Sequence, residues 1–336
     1  MKRILYLDII RIVACLMIIA MHAPIPHTGL NSYILSTDSL MTAPGIGLFI
    51  MVSGALLLPV KMPTSQFLKK RFSKIVWPTF FWTMFYMLIY WYEKGFENIE
   101  LGRALLSVPF TPQFNGVLWF MYMLVGLYLL APILSSWIKQ SGRREIEFYL
   151  CLWGITLCYP LMRNFIGVNE GHTGVLYYFG GYAGYFLLGY YLKNYINTLV
   201  VWKCLFLLLF PLIMAVMVKL QQIEIDFYDM FWYLSILVVM MAVAWFMLLK
   251  GITKQYDADS QLHKGVVLVS NCCFGIYLVH IFIMRSIIWH WEPLHSMGVM
   301  QIVVVTLLTF VGSFAVTWLI SYLPWAEYMI GFRQKR

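Results

Sequence analysis

Charge is what this sequence has least of. Asp, Glu, Lys and Arg make up 12% of its 336 residues, about half the share of an ordinary globular chain. Apolar residues reach 61% and the mean hydropathy is +0.76. So little polar surface cannot cover a water-soluble particle, which excludes a pair of soluble domains. Cysteine is also sparse. None of Cys15, Cys151, Cys158, Cys204, Cys272 and Cys273 belongs to a C-x-x-C pair, and all lie in apolar runs, so packing is expected rather than a disulfide framework or zinc site. No small-residue cleavage site follows the opening Met1-Lys2-Arg3 and its apolar run, which reads as a retained first helix rather than a signal peptide. Internal repeats and low-complexity tracts are missing too.

What is there is a succession of apolar runs. They predict helices at 4–23, 43–60, 75–92, 117–138, 147–166, 174–192, 200–219, 229–250, 266–289 and 299–323. Ten crossings use roughly 200 residues at about 20 each. The expectation is an all-α bundle of about ten transmembrane helices, one integral-membrane domain over residues 1–336, with no room for a separate soluble domain. Of the 24 Lys and Arg residues, 18 fall on one side of that topology and five on the other. This positive-inside bias puts both termini of the multi-pass chain in the cytoplasm. It also explains the net charge of +9 without nucleic acid.

The opposite face carries His27, Asp38, Glu93, Glu97, Glu100, Glu170, His172, Glu224, Asp226, Asp229, Glu292 and His295 in or beside its loops. They suit a polyhydroxylated ligand, and ordinary loop solvation explains them equally well. His290, Glu292 and His295 lack the i, i+4 pairing of a zincin, so no metal is expected.

Ionisable groups inside a membrane are costly and point to function. Asp8, Arg11, Cys15 and His22 recur at helical spacing along the first helix. Arg11 and His22 share a face and stand about 16 Å apart along the axis. Asp8, one turn before Arg11, is expected to pair with it. A fixed cation at one depth and a titratable base near the other end suit the passage of an anionic donor. A structural Asp8–Arg11 pair with an interfacial His22 is the bland alternative.

Asp8, Arg11 and His22 at the head of a ten-helix chain resemble the signature of the membrane acyltransferase 3 family. Gly47-Leu48-Phe49-Ile50-Met51-Val52-Ser53-Gly54 resembles its second-helix run. Leu118-Trp119-Phe120 with Tyr122, continuing to Leu129-Leu130-Ala131-Pro132, resembles its fourth-helix motif, and Phe274 to His280 its near-terminal I-Y-L-x-H stretch. The resemblance implies transfer of an acyl group, usually acetyl, from cytoplasmic acyl-CoA to a hydroxyl of an extracytoplasmic cell-envelope glycan or its lipid-linked precursor. His22 and Arg11 would be its essential residues. Arg71-Phe72-Ser73-Lys74 stands where the family carries R-x-x-R; lysine keeps the charge and lacks the fork of arginine. Lys69, Lys70, Arg71 and Lys74 would then hold the phosphates of acyl-CoA, a co-substrate rather than a bound cofactor. Ser53, Trp119, Tyr122, Tyr277 and His280 would line the acceptor site or stabilise an oxyanion, or else serve as helix-packing hydrogen bonds. Direct transfer and a transient acyl-histidine both fit. The chain looks like a stand-alone form, similar in that respect to the O-acetyltransferase of enterobacterial common antigen. The rival readings are a secondary transporter or glycan flippase with Arg11 and His22 as a relay, and a subunit that has lost catalysis. The first expects a matching polar helix in the second half, which is not seen, and intact Arg11 and His22 speak against the second.

Overall fold

A residue that precedes proline is pushed out of the helical region by the proline ring. Ala23 before Pro24 and Leu58 before Pro59 are both extended, with ψ of 134° and 139°, and they end α1 (Leu5–His22) and α2 (Pro44–Leu57). His22 is thereby the last helical residue of α1. The computed structural model describes residues 3–24, 41–94, 116–168, 179–197, 199–220, 230–253 and 261–334, with Val108 and Phe110. All regular elements among them are helical. After α2 come α3 (Thr64–Lys94), α4 (Trp119–Gln140), α5 (Arg143–Thr156), α6 (Tyr159–Ile166) and α7 (Ala183–Asn194). They are followed by α8 (Val201–Leu220), α9 (Ile236–Ile252), α10 (Gln261–Ser286), α11 (Met300–Ile320) and a short α12 (Ala326–Ile330).

The expected helix 147–166 is broken into α5 and α6 ahead of Pro160, where Thr156 Oγ1 donates to the Trp153 carbonyl (2.6 Å). The helix expected over 229–250 begins instead at Ile236, capped by Ser235, whose Oγ accepts from Leu237 N. α3 reaches back to Thr64, so the basic run 69–74 is helical rather than a loop.

Among the described residues, five stretches are long and apolar enough to cross a membrane: Leu5–His22, Gly116–Gln140, Val201–Val218, His263–His290 and Met300–Ile320. On α11, Thr306, Thr309, Ser313 and Thr317 are buried, while Val303, Leu307, Val311 and Leu319 are exposed. That is the pattern of a helix that turns lipid-like side chains outward and small hydroxyls toward its neighbours. α1 lies in the middle, packed by α2, α9, α10 and α11. Its Ile10, Ala14 and Ile18 join the main core, and its Cys15, Ile19 and Ala23 join a second cluster with Cys272 and Cys273. Cysteine packing holds for Cys15, Cys204, Cys272 and Cys273. Cys151, by contrast, is exposed on α5.

The closest helix contact is between α2 and α7. A Cβ on Gly54 would lie 1.8 Å from the Phe186 carbonyl oxygen, and one on Gly189 would lie 1.9 Å from that of Met51. Backbone meets backbone, so no rotamer relieves the clash. Gly189→Ala should destabilise the protein by about 3 kcal/mol, the upper end for overpacking. Gly126→Ala, where a Cβ meets nothing within 4 Å, should be neutral. Thermal melts of the two purified variants check this, and equal melting temperatures would refute it. At the end of α7, the buried Lys250 Nζ donates to the carbonyls of Leu192 (2.9 Å), Lys193 (3.1 Å) and Ile196 (2.6 Å). A cation there satisfies carbonyls left open at a helix C-terminus.

Candidate active site

Two cavities lie at the two ends of α1. The first, about 820 Å³, is lined by Arg3, Asp8 and Arg11, by Leu57 to Met62 after α2, by Lys70 and Arg71 of α3, and by Lys193 and Asn271. Six cationic side chains (Arg3, Arg11, Lys61, Lys70, Arg71, Lys193) face it with one carboxylate, Asp8. That carboxylate is already engaged. Arg3 grips it with Nε–Oδ2 at 2.8 Å and Nη2–Oδ1 at 3.1 Å, and Ser270 donates to Oδ1 at 2.6 Å. Arg3 also donates to Asn271 Oδ1 at 2.8 Å, which ties the start of α1 to α10. Arg11 is 3.8 Å from Asp8. The expected Asp8–Arg11 pair is therefore the longer of two, and the guanidinium of Arg11 keeps its donors for the cavity.

Of the four basic residues in the run 69–74 of α3, the structure brings Lys70 and Arg71 to this cavity and not Lys69 or Lys74. Helical winding turns Lys69 away, and the rise along the axis carries Lys74 past the cavity. Arg71 follows the buried Phe67 by one turn and stacks on its ring at 5.9 Å. Lys69 points away at roughly 200° from Phe67. Lys74, a turn beyond Lys70, is exposed, and its carbonyl meets Gly331 after α12. Arg71 Nε is buried and has no hydrogen-bond partner.

The second cavity, about 740 Å³, holds His22 and Trp119 from the expected set. Its wall is largely aromatic: Trp119 stacks on Tyr233 at 5.6 Å and 27° and packs on Tyr182 at 5.6 Å, and Tyr86, Tyr90, Trp232 and Phe282 add further rings. Glu93 and Arg285 are its charged members. His280 lies beside His22, with ring centroids 5.4 Å apart, and Tyr277 packs on His280 at 5.6 Å. The Tyr277 hydroxyl donates to the carbonyl of Val117, which lines the cavity. Ser53 donates to Phe49 O (3.0 Å), one turn back on its own helix, and Tyr122 donates to Val108 O (2.6 Å); neither residue lines either of these two cavities.

Several residues of the site escape a reading of sequence. Ser270, which holds Asp8, and Asn271 left one signal, two polar residues inside an apolar helix. Arg285 sits near a helix end, where charge is ordinary. Trp232, Tyr233 and Tyr182 left none in a chain that is 18% aromatic. Of the outer-loop residues, Glu93, Glu292 and His295 are described and the others lie outside the described residues; His295 Nε2 is 3.1 Å from the Trp289 carbonyl.

A search of curated proteins gives no match, and a search of solved structures gives none. The profile of the acyltransferase 3 family, an acyltransferase domain, matches residues 4–320, which take in every residue lining the two cavities except Arg3. The chain belongs to the acyltransferase 3 family.

Proposed function

We propose that the protein is a cytoplasmic-membrane O-acyltransferase. It takes an acyl group, acetyl in the simplest case, from cytoplasmic acyl-CoA and places it on a hydroxyl of an extracytoplasmic envelope glycan or lipid-linked glycan. Ten crossings with both termini cytoplasmic put the basic cavity on the donor side and the aromatic cavity on the acceptor side. The observation that carries this reading is the pairing of those two cavities, one at each end of a helix about 16 Å from Arg11 to His22.

The surplus of positive charge around the basic cavity suits a carrier with several phosphates. The buried, unpartnered Nε of Arg71 supports the same reading, because a donor left unpaired is costly until a ligand supplies an acceptor. Lys70, Arg71 and Arg11 bind that carrier, with Lys69 and Lys74 adding attraction at the mouth. The pantetheine arm carries its charge at one end only, so the apolar layer between the cavities accepts its length. In the aromatic cavity, flat rings beside few polar groups suit a sugar. His22 takes the proton of the acceptor hydroxyl, the oxygen attacks the thioester carbonyl, and the C–S bond breaks. The leaving thiolate receives that proton from His22. A lipid-linked glycan of the enterobacterial common antigen type is one acceptor this reading admits.

Mass spectrometry of envelope glycans from cells with and without the protein tests the reading. One glycan class should carry an added acetyl only when the protein is present, and not with the His22→Gln variant. Identical glycan masses in both cells would overturn it. Unmodified glycan redistributed across the membrane would favour a flippase.

A further inference from the structure

The His280 ring is fully buried, and its Nδ1 lies 2.6 Å from the carbonyl oxygen of Tyr277. A carbonyl only accepts, so Nδ1 carries the proton and Nε2 presents a lone pair. That Nε2 is buried and has no hydrogen-bond partner, an arrangement that carries a desolvation cost until a donor reaches it. The ring set against it is that of His22, with centroids 5.4 Å apart and planes tilted by 36°. The two rings make no hydrogen bond as they stand, and at that separation a turn of the His22 ring that sets its edge toward Nε2 closes the gap to hydrogen-bond length.

His22 has the complementary need. An imidazole acting as a base directs one bare nitrogen at the substrate and requires an acceptor to hold the N–H of the other. In Ser-His-Asp enzymes that acceptor is a carboxylate. Here no carboxylate among the described residues is within ion-pair distance of His22. Glu93 and Arg285 share its cavity, and the tyrosines beside it have hydroxyls committed elsewhere, Tyr277 to Val117 and Tyr86 to Leu278 (2.8 Å).

We propose that Nε2 of His280 accepts the N–H of His22, forming an imidazole dyad in which His280 is the positioning residue and His22 the base. The proposal rests on the reading of His22 as that base. The Tyr277 carbonyl fixes the tautomer of His280, which in turn fixes the tautomer and direction of His22. When His22 takes the proton of the acceptor hydroxyl, the imidazolium charge is shared through the N–H···N bond. The proton leaves again to the thiolate, so His280 ends as it began.

The test compares His280→Phe, which fills the space and lacks an acceptor, with His280→Gln, whose amide oxygen reaches the position of Nε2. Acetyl transfer is measured from labelled acetyl-CoA into a total envelope glycolipid extract, with the full chain in nanodiscs. The phenylalanine variant should lose kcat by about 10- to 100-fold, the range found when the partner that orients a metal-bound imidazole is removed, with the KM for acetyl-CoA unchanged. Glutamine should restore part of that loss. A space-filling role gives the reverse order. In the His22→Gln background, His280→Phe should cost nothing further. Independently of turnover, ¹⁵N spectra of histidine-labelled protein should show a single His22 tautomer that becomes a mixture in His280→Phe. Full activity and an unchanged His22 tautomer in that variant would overturn the dyad. Full activity of His22→Gln would instead remove the base itself.

Discussion

Replacing His22 by glutamine should lower acyl transfer by about 10²–10⁴-fold, the loss typical of a missing general base, while acyl-CoA binding is retained. Glutamine keeps polarity and approximate size, so the half-buried end of α1 has no reason to unfold. The basic cavity begins at Arg11 and the residues before it, toward the other end of the helix, so donor contacts are untouched. Two measurements check this: single-turnover acetyl transfer, and equilibrium binding of a non-hydrolysable acetyl-CoA analogue. Near wild-type transfer by correctly folded His22→Gln protein would refute the assignment and return weight to a transporter.

Arg11→Lys should raise the KM for acyl-CoA by about 10- to 100-fold. A hydrogen bond to a charged group contributes about 1.5–3 kcal/mol, and lysine cannot rebuild the bidentate fork. The structure sharpens this expectation. Because Arg3 and Ser270 already satisfy Asp8, and Arg11 stands 3.8 Å from it, the substitution should leave the melting temperature close to wild type. Asp8→Asn should do the opposite, loosening the Arg3 clamp on α10 while the chemistry at His22 persists. If Arg11→Lys melts much earlier and binds acyl-CoA normally, Arg11 is a structural partner of Asp8 and the donor site must be sought elsewhere.

Local rules carried much of this protein. The poverty of charge and the apolar runs required helices in lipid, because only a backbone that satisfies its own hydrogen bonds spans a bilayer. Helical periodicity alone placed Arg11 and His22 on one face and near opposite ends of α1, and Pro24 fixed where that helix stops. The family signature lies in the same short-range pattern. Contacts between distant segments followed no such rule. Asp8 and Arg11 are neighbours in sequence, yet the straight helix holds them at 3.8 Å, while Arg3, on the extended entry to α1, is free to curl back and close at 2.8 Å. Four basic residues that look like one cluster in sequence are split by the winding of α3, which turns Lys70 and Arg71 inward and Lys69 away. Packing brings the Val117 carbonyl to the phenol of Tyr277 and the Val108 carbonyl to that of Tyr122. His280 comes to His22 only because α10 packs along α1. Side-chain direction on one helix follows from its own turn. Which group it meets depends on how whole helices pack, and that balance is summed over the entire bundle.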